Sequence, residues 1–162
     1  MTTLHLMVGL PCSGKTSLAR SLEQQHAALR LTPDAWHTRL FGLDLEHSEH
    51  DTRHNLIEAI MWEVAARALR LGINVILDFG FWAIEEREDY RARAATLGAG
   101  SEIHFLDVSQ EVLLERLEAR NKALPIETFL IPKTKLAEWI TWFQPPSTEE
   151  LLPRTSGSRN TV

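Results

Sequence analysis

Residues 9–16 read Gly9-Leu10-Pro11-Cys12-Ser13-Gly14-Lys15-Thr16 and match the spacing G-x-x-x-x-G-K-[ST] without a mismatch. At average residue usage such a match arises by chance in roughly one chain in 200 of this length. What flanks it narrows the fold further. Leu4 to Val8 is a short apolar run that reads as a buried strand, and from Gly14 to about His26 the pattern turns helical, with Leu18, Ala19 and Leu22 on one face. A strand, a glycine loop and a helix start together form an anion cradle. The glycines let backbone N–H groups turn inward, and the helix N-terminus adds positive partial charge.

The rest of the chain continues the alternation. Leu29 to Leu31 is a second short strand, followed by Thr32 as N-cap, Pro33 at the first helical position and a short helix ending near Phe41-Gly42. Leu43 to Asp51 is polar and irregular. A long helix runs from about Thr52 to Leu71, with Leu56, Ile60, Val64 and Leu71 among its expected core positions and Gly72 as its stop. Asn74 to Leu77 is an apolar strand ending at Asp78, a helix spans about Ile84 to Leu97, and Ile103 to Leu106 is a further strand. Ser109 caps a helix to about Asn121; a loop, Lys122 to Ile131, leads to a last helix from about Pro132 to Phe143. This order predicts a three-layer α/β/α P-loop fold with a parallel sheet of four to five strands, nucleoside-kinase-like with a short lid. Residues 1–151 are expected to form one domain and 152–162 a flexible tail, frayed from Arg154 onward.

The loop predicts a nucleoside triphosphate with magnesium. Gly9, Pro11, Cys12, Ser13, Gly14, Lys15, Thr16 and Ser17 are its expected nucleotide-binding residues; Lys15 reaches the β- and γ-phosphates and the Thr16 hydroxyl ligates Mg2+. Cys12 is read as a small residue whose side chain points away from the phosphates. Ligands collect at the C-terminal ends of parallel strands, so Asp78 is placed to hold a magnesium-bound water or touch an acceptor. Phe79 stands where many ATP-hydrolysing P-loop proteins carry a water-activating glutamate, which favours transfer to a bound acceptor over hydrolysis. Asp34 opens the short helix at the same rim and is the candidate base for an attacking hydroxyl, with Arg39 further along to hold an anionic group. Arg116 and Arg120 lie four apart, on one helix face, before a polar loop that can move; they are candidates to neutralise the transferring phosphoryl group.

With 162 residues, 44% hydrophobic and 24% charged, the chain suits one soluble domain. Its formal charge of -5 argues against a non-specific grip on nucleic acid or on an anionic membrane. Cys12 is the single cysteine, so no internal disulfide forms, and no apolar run reaches the roughly 20 residues of a membrane span; the expectation is a cytoplasmic protein.

GLPCSGKT, LTPDAWHTRL, NVILDFGFW, LLERLEARN and WFQPPSTEE together resemble the small P-loop kinases of the polynucleotide kinase, chloramphenicol phosphotransferase and zeta-toxin type. Within that group the chain is similar to the "predicted kinase" family of ATP-binding proteins. The resemblance implies that Lys15 and Thr16 are the phosphate and magnesium residues and that Asp34 is the general base. It implies that Asp78 is the acidic residue of the next core strand and that Arg120 is the lid arginine, with Arg116 one turn earlier. Phe143 to Pro146 falls where related kinases wall the adenine site. These 162 residues show no phosphatase or ligase segment and no obvious basic channel. These departures favour a small hydroxylated acceptor such as an antibiotic, sugar, nucleoside or nucleotide sugar. The alternatives are a 5′-hydroxyl polynucleotide kinase and a non-catalytic ATP-binding switch module.

Two sets of residues are set aside. His47, His50 and His54 are read as solvated histidines, since only the last two share a helix face. Phe79, Phe81 and Trp82 are read as packing aromatics, with an acceptor wall as the alternative, and Trp139, Trp142 and Phe143 as core of the last helix.

Overall fold

The computed structural model describes residues 1–155. Four parallel strands make one sheet: β1 (Thr3–Val8), β2 (Leu29–Leu31), β3 (Val75–Gly80) and β4 (Gly100–Phe105), in the spatial order β2-β3-β1-β4. Six helices connect and cover it: α1 (Lys15–His26), α2 (Pro33–Phe41), α3 (His50–Arg70), α4 (Ile84–Thr96), α5 (Gln110–Ala123) and α6 (Lys133–Trp142).

Period-two alternation along β1 and β3 builds the two faces. Leu4, Leu6, Val8, Val75 and Leu77 enter the core with Ile57, Met61 and Ala65 of α3 and Tyr90 and Ala94 of α4. Met7 and Ile76 face the other way, onto Ala19 and Leu22 of α1. The register pairs Leu6 with Leu77 and Leu31 with Leu77, so the C-terminal ends of β1, β2 and β3 finish side by side. A third cluster, Leu10, Leu113, Leu117, Phe129, Ile131 and Leu136, joins the phosphate loop to α5, α6 and the segment between them. Within the expected lid segment, Phe129 and Ile131 are anchored in this cluster, whereas Ile126 and Leu130 are exposed.

The core stripe of α3 differs from expectation. Leu56, Ile60, Val64 and Leu71 are exposed, and the buried apolar set is Ile57, Met61, Ala65, Ala66, Ala68 and Leu69, about one residue around the helix. Both stripes are apolar. The buried one carries three alanines, small side chains that put little bulk between α3 and its neighbours. In α6 the buried residue is Leu136, Trp139 is half-buried and Trp142 is exposed.

The expected tail also needs correction as far as it is described; residues 156–162 lie outside the described residues. Arg154 forms an antiparallel bridge with Ser101 on β4, through two backbone hydrogen bonds of 2.8 and 2.9 Å, and its guanidinium is ion-paired to Glu88 at 2.6 Å. Two buried arginines of α4 hold the segment before it. Arg87 donates to both Glu150 carboxylate oxygens and to the carbonyls of Phe81, Trp82 and Gln144. Arg91 donates to the Ser101 hydroxyl and to the carbonyls of Glu150 and Leu152. Among the described residues no helix is long and apolar enough to cross a membrane.

Candidate active site

The chain leaves β1 into the phosphate loop with Gly9 at φ +152 and enters α1 through Gly14 at φ +100. A Cβ on Gly9 would stand 2.8 Å from Ser13 Oγ, so the loop closes this tightly only with glycine there. Cys12 is held at φ +68, and its side chain packs against the Leu10–Leu117 cluster. Around the outside, Arg116 Nη1 donates to the carbonyls of Cys12 and Ser13, both at 3.3 Å. Trp82 Nε1 donates to the Gly9 carbonyl at 3.3 Å.

Inside the cradle, Lys15 Nζ donates to the Leu10 carbonyl at 2.8 Å. Burial holds the Lys15 ammonium below its ordinary pKa, opposed by the charges of Asp78 and Asp34. Asp78 ends its buried run on β3 and accepts hydrogen bonds at Oδ2 from Thr16 Oγ1 (2.8 Å) and Thr32 Oγ1 (3.3 Å). Its other oxygen, Oδ1, is buried without a hydrogen-bond partner. Burial pushes the Asp78 carboxyl up from its usual range, while the Lys15 charge and the Thr16 bond pull against that. Thr32 occupies the N-cap position of α2 but makes no cap bond; its hydroxyl turns to Asp78 and accepts from Arg30 Nη1 at 2.6 Å.

These groups share one cleft of about 1080 Å³. Its walls include Pro11, Cys12, Gly14, Lys15, Thr16 and Ser17 of the loop, Asp34 and Arg39 of α2, Asp78 and Arg120. Gly9, Ser13 and Arg116 are not among them. Arg120 Nη2 donates to the Phe129 carbonyl at 2.8 Å, and its Nε is buried without a partner. Arg39 is 76% exposed at its side chain and pairs with Glu127 across the cleft mouth at 2.6 Å. Phe79, Phe81 and Trp82 all line the cleft; Phe81 is also buried in the core, where it stacks on Phe79. Phe143 to Pro146 does not line it: Phe143 stacks on Phe105, and the Gln144 N–H donates to the Trp82 carbonyl.

The histidines are not all solvated. His50 is buried, and it meets a residue outside the expected set, His37, which is fully buried. His37 Nε2 (2.6 Å) and His50 Nδ1 (2.8 Å) both face Asp44 Oδ1, and Arg53 donates to Asp44 Oδ2 at 2.8 Å. His47 stays exposed.

The sequence missed Thr32, Trp82 as a loop contact, His37 and Asp44. Only for Thr32 was there a signal, its place one step past the C-terminal end of a core strand.

No curated protein sequence matches the chain significantly. Among solved structures, the Pnkp1/Rnl/Hen1 RNA repair complex contains a chain similar to this one over 99% of its length, with 22% identity and a TM-score of 0.76. This chain spans 50% of that protein's length. Kti12 from Chaetomium thermophilum, in complex with ADP-AlF3, gives 21% identity and a TM-score of 0.67 over 90% of this chain and 82% of its own. A gluconokinase from Sinorhizobium meliloti 1021 gives 19% identity and a TM-score of 0.61 over 91% of this chain and 77% of its own. These likenesses show the fold: a parallel four-stranded sheet and helices arranged as in small P-loop kinases. The family model described as an AAA domain (AAA_33) matches residues 4–146, and the chain belongs to that family of small P-loop proteins.

Proposed function

We propose that the protein is an ATP-dependent phosphotransferase that moves the γ-phosphoryl group of ATP to a hydroxyl of a small acceptor, with Asp34 as general base. The observation that carries the reading is the placing of Asp34 in one cleft with Lys15, Thr16 and the half-bonded Asp78. Lys15 supplies charge at the β- and γ-phosphates once it leaves the Leu10 carbonyl. The residues fit magnesium. Thr16 spends its hydroxyl proton on Asp78 and keeps its oxygen lone pairs, and the buried Asp78 Oδ1 has no other partner. The ion, when bound, neutralises charge between the β- and γ-phosphates.

The acceptor oxygen forms a bond to the γ-phosphorus while the bond from that phosphorus to the bridging oxygen of ADP breaks. The acceptor proton passes to the Asp34 carboxylate. Arg120, on the cleft wall, adds positive charge where the phosphoryl group transfers. The Kti12 relative in complex with ADP-AlF3 supports a nucleotide in this fold, and the gluconokinase relative supports a small hydroxylated acceptor.

A 5′-hydroxyl polynucleotide end is the second reading, favoured by the likeness to the RNA repair complex. Against it, the cleft holds no excess of positive charge to track a phosphate backbone: Lys15, Arg20, Arg30, Arg39, Arg120 and Lys135 are matched by Asp34, Asp51, Glu58, Asp78, Glu86 and Glu127.

The test is γ-labelled ATP with magnesium and a panel of antibiotics, sugars, nucleosides, nucleotide sugars and 5′-hydroxyl oligonucleotides. Label on one acceptor is expected, with transfer reduced by ~100-fold or more in Asp34→Asn and ATP affinity near normal. Label released only as phosphate, at a rate Asp34→Asn leaves unchanged, overturns the transferase reading and points to a nucleotide-binding switch.

A further inference from the structure

The histidine cluster beside the cleft gathers three imidazole rings around one point. Asp44 is ringed by donors: His37, His50 and Arg53 all direct N–H groups at its two oxygens. An ionised carboxylate only accepts, so His37 carries its proton on Nε2 and His50 on Nδ1. Each then presents a lone pair on its other ring nitrogen. His54 Nε2 faces Glu58 Oε1 at 3.5 Å. Its Nδ1 lies 3.1 Å from His37 Nδ1, and a proton on His54 Nδ1 bridges to the His37 lone pair. A shared proton would serve this one pair; a metal ion would engage all three rings.

We propose that His37, His50 and His54 form a zinc-class metal site whose fourth position is reached from the cleft. One ring nitrogen from each histidine lies within 4.8 Å of the others. Ligand atoms on a tetrahedral ion with bonds of 2.0–2.1 Å stand about 3.3 Å apart, close to the His37–His54 separation. Three imidazoles suit Zn2+, Ni2+ or Cu2+ and not the hard magnesium ion of the phosphate site. The supporting shell is in place, because each histidine offers its far nitrogen to a carboxylate, Asp44 for two and Glu58 for the third. The negative charges of Glu58, Asp34 and Asp51 around His54 favour a cation there. His50 and His54 are cleft walls, which gives the ion a route in and leaves its remaining position for water or an oxygen of a bound molecule. The site stands whether or not the cleft transfers phosphate.

The test is titration of the full chain, free of any polyhistidine tag, with Co2+ followed by visible absorption, then displacement by Zn2+. The expected result is one equivalent of Co2+ with intense tetrahedral bands that Zn2+ abolishes. In His54→Ala and His54→Gln the bands should be lost; the second variant keeps a polar side chain near Glu58 should the first perturb folding, and circular dichroism checks both. Asp44→Asn should weaken binding by ~10- to 100-fold. His104→Ala is the control for the other histidine group, His5, Glu102 and His104, and should leave the bands unchanged. Absence of tetrahedral bands at one equivalent overturns the proposal. So does their persistence in both His54 variants, or their loss in His104→Ala.

Discussion

Thr16 Oγ1 donates to Asp78 Oδ2 at 2.8 Å, which ties the first turn of α1 to the end of β3 beneath the phosphate cradle. The bond leaves Asp78 Oδ1 buried and free, and burial already disfavours the ionised carboxylate. Asp78→Asn removes a buried charge while keeping a hydrogen-bonding oxygen. Stability of the variant, read by thermal melting without nucleotide, should hold or rise. The magnesium concentration giving half-maximal phosphate transfer should rise by about 10-fold or more. A variant with normal magnesium dependence would remove Asp78 from the proposed magnesium site.

Arg87 is fully buried and is answered chiefly by Glu150, 63 positions later in the chain. Removing one partner of a buried pair leaves an uncompensated charge, at a cost of about 3–5 kcal/mol. Glu150→Ala should lose that much in denaturant unfolding, and a chain ending at Pro146 should lose at least as much. Urea melts of the two variants that overlay the wild type would show that the segment docks without holding the fold.

The phosphate loop was legible because its function needs a fixed local spacing, and Asp78 because a parallel sheet sends strand ends to one rim. What lay outside the sequence depended on distant elements meeting. Thr32 reads locally as a helix cap; only the pairing of Leu31 with Leu77 carries its hydroxyl to Asp78. On α3 two adjacent apolar stripes compete, and periodicity alone does not say that the one with Ala65 and Ala68 meets the sheet. His37 joins His50 and His54 only because α2 packs on α3, and Arg87 and Arg91 gain their partners only when the chain beyond Pro146 returns to α4 and β4.

Glu86 lines the cleft, and burial, then the nearby Glu58 charge, lift its pKa from 4.5 to about 7. The folded state therefore binds more protons than the unfolded state between those values, so stability falls as pH rises through that window. Above pH 7 the ionised group carries its whole penalty, on the order of 1 kcal/mol once solvent screening is allowed for. Glu86→Gln should melt higher than wild type at pH 8 and show no such advantage at pH 5. Parallel melting curves at both values would place Glu86 in contact with solvent.

Arg116 and Arg120 share a helix face but meet different partners, which separates their expected kinetics. Arg116 grips the Cys12 and Ser13 carbonyls from outside the loop and does not line the cleft. Arg120 lines the cleft, has a buried Nε without a partner, and is close enough to Lys15 for its charge to lower the lysine pKa. Arg116→Ala should loosen the cradle and raise KM for ATP several-fold, with kcat little changed. On the proposed phosphoryl transfer, Arg120→Ala should lower kcat by about 10- to 100-fold, with a smaller effect on KM, because charge on the cleft wall would matter most in the transition state. Arg120→Lys restores charge without the forked geometry and should recover only part of the loss. Steady-state kinetics on the three variants decide the assignment: equal losses in kcat for Arg116→Ala and Arg120→Ala would make both arginines supports of the loop, and the charge at the transferring group would then fall to Lys15.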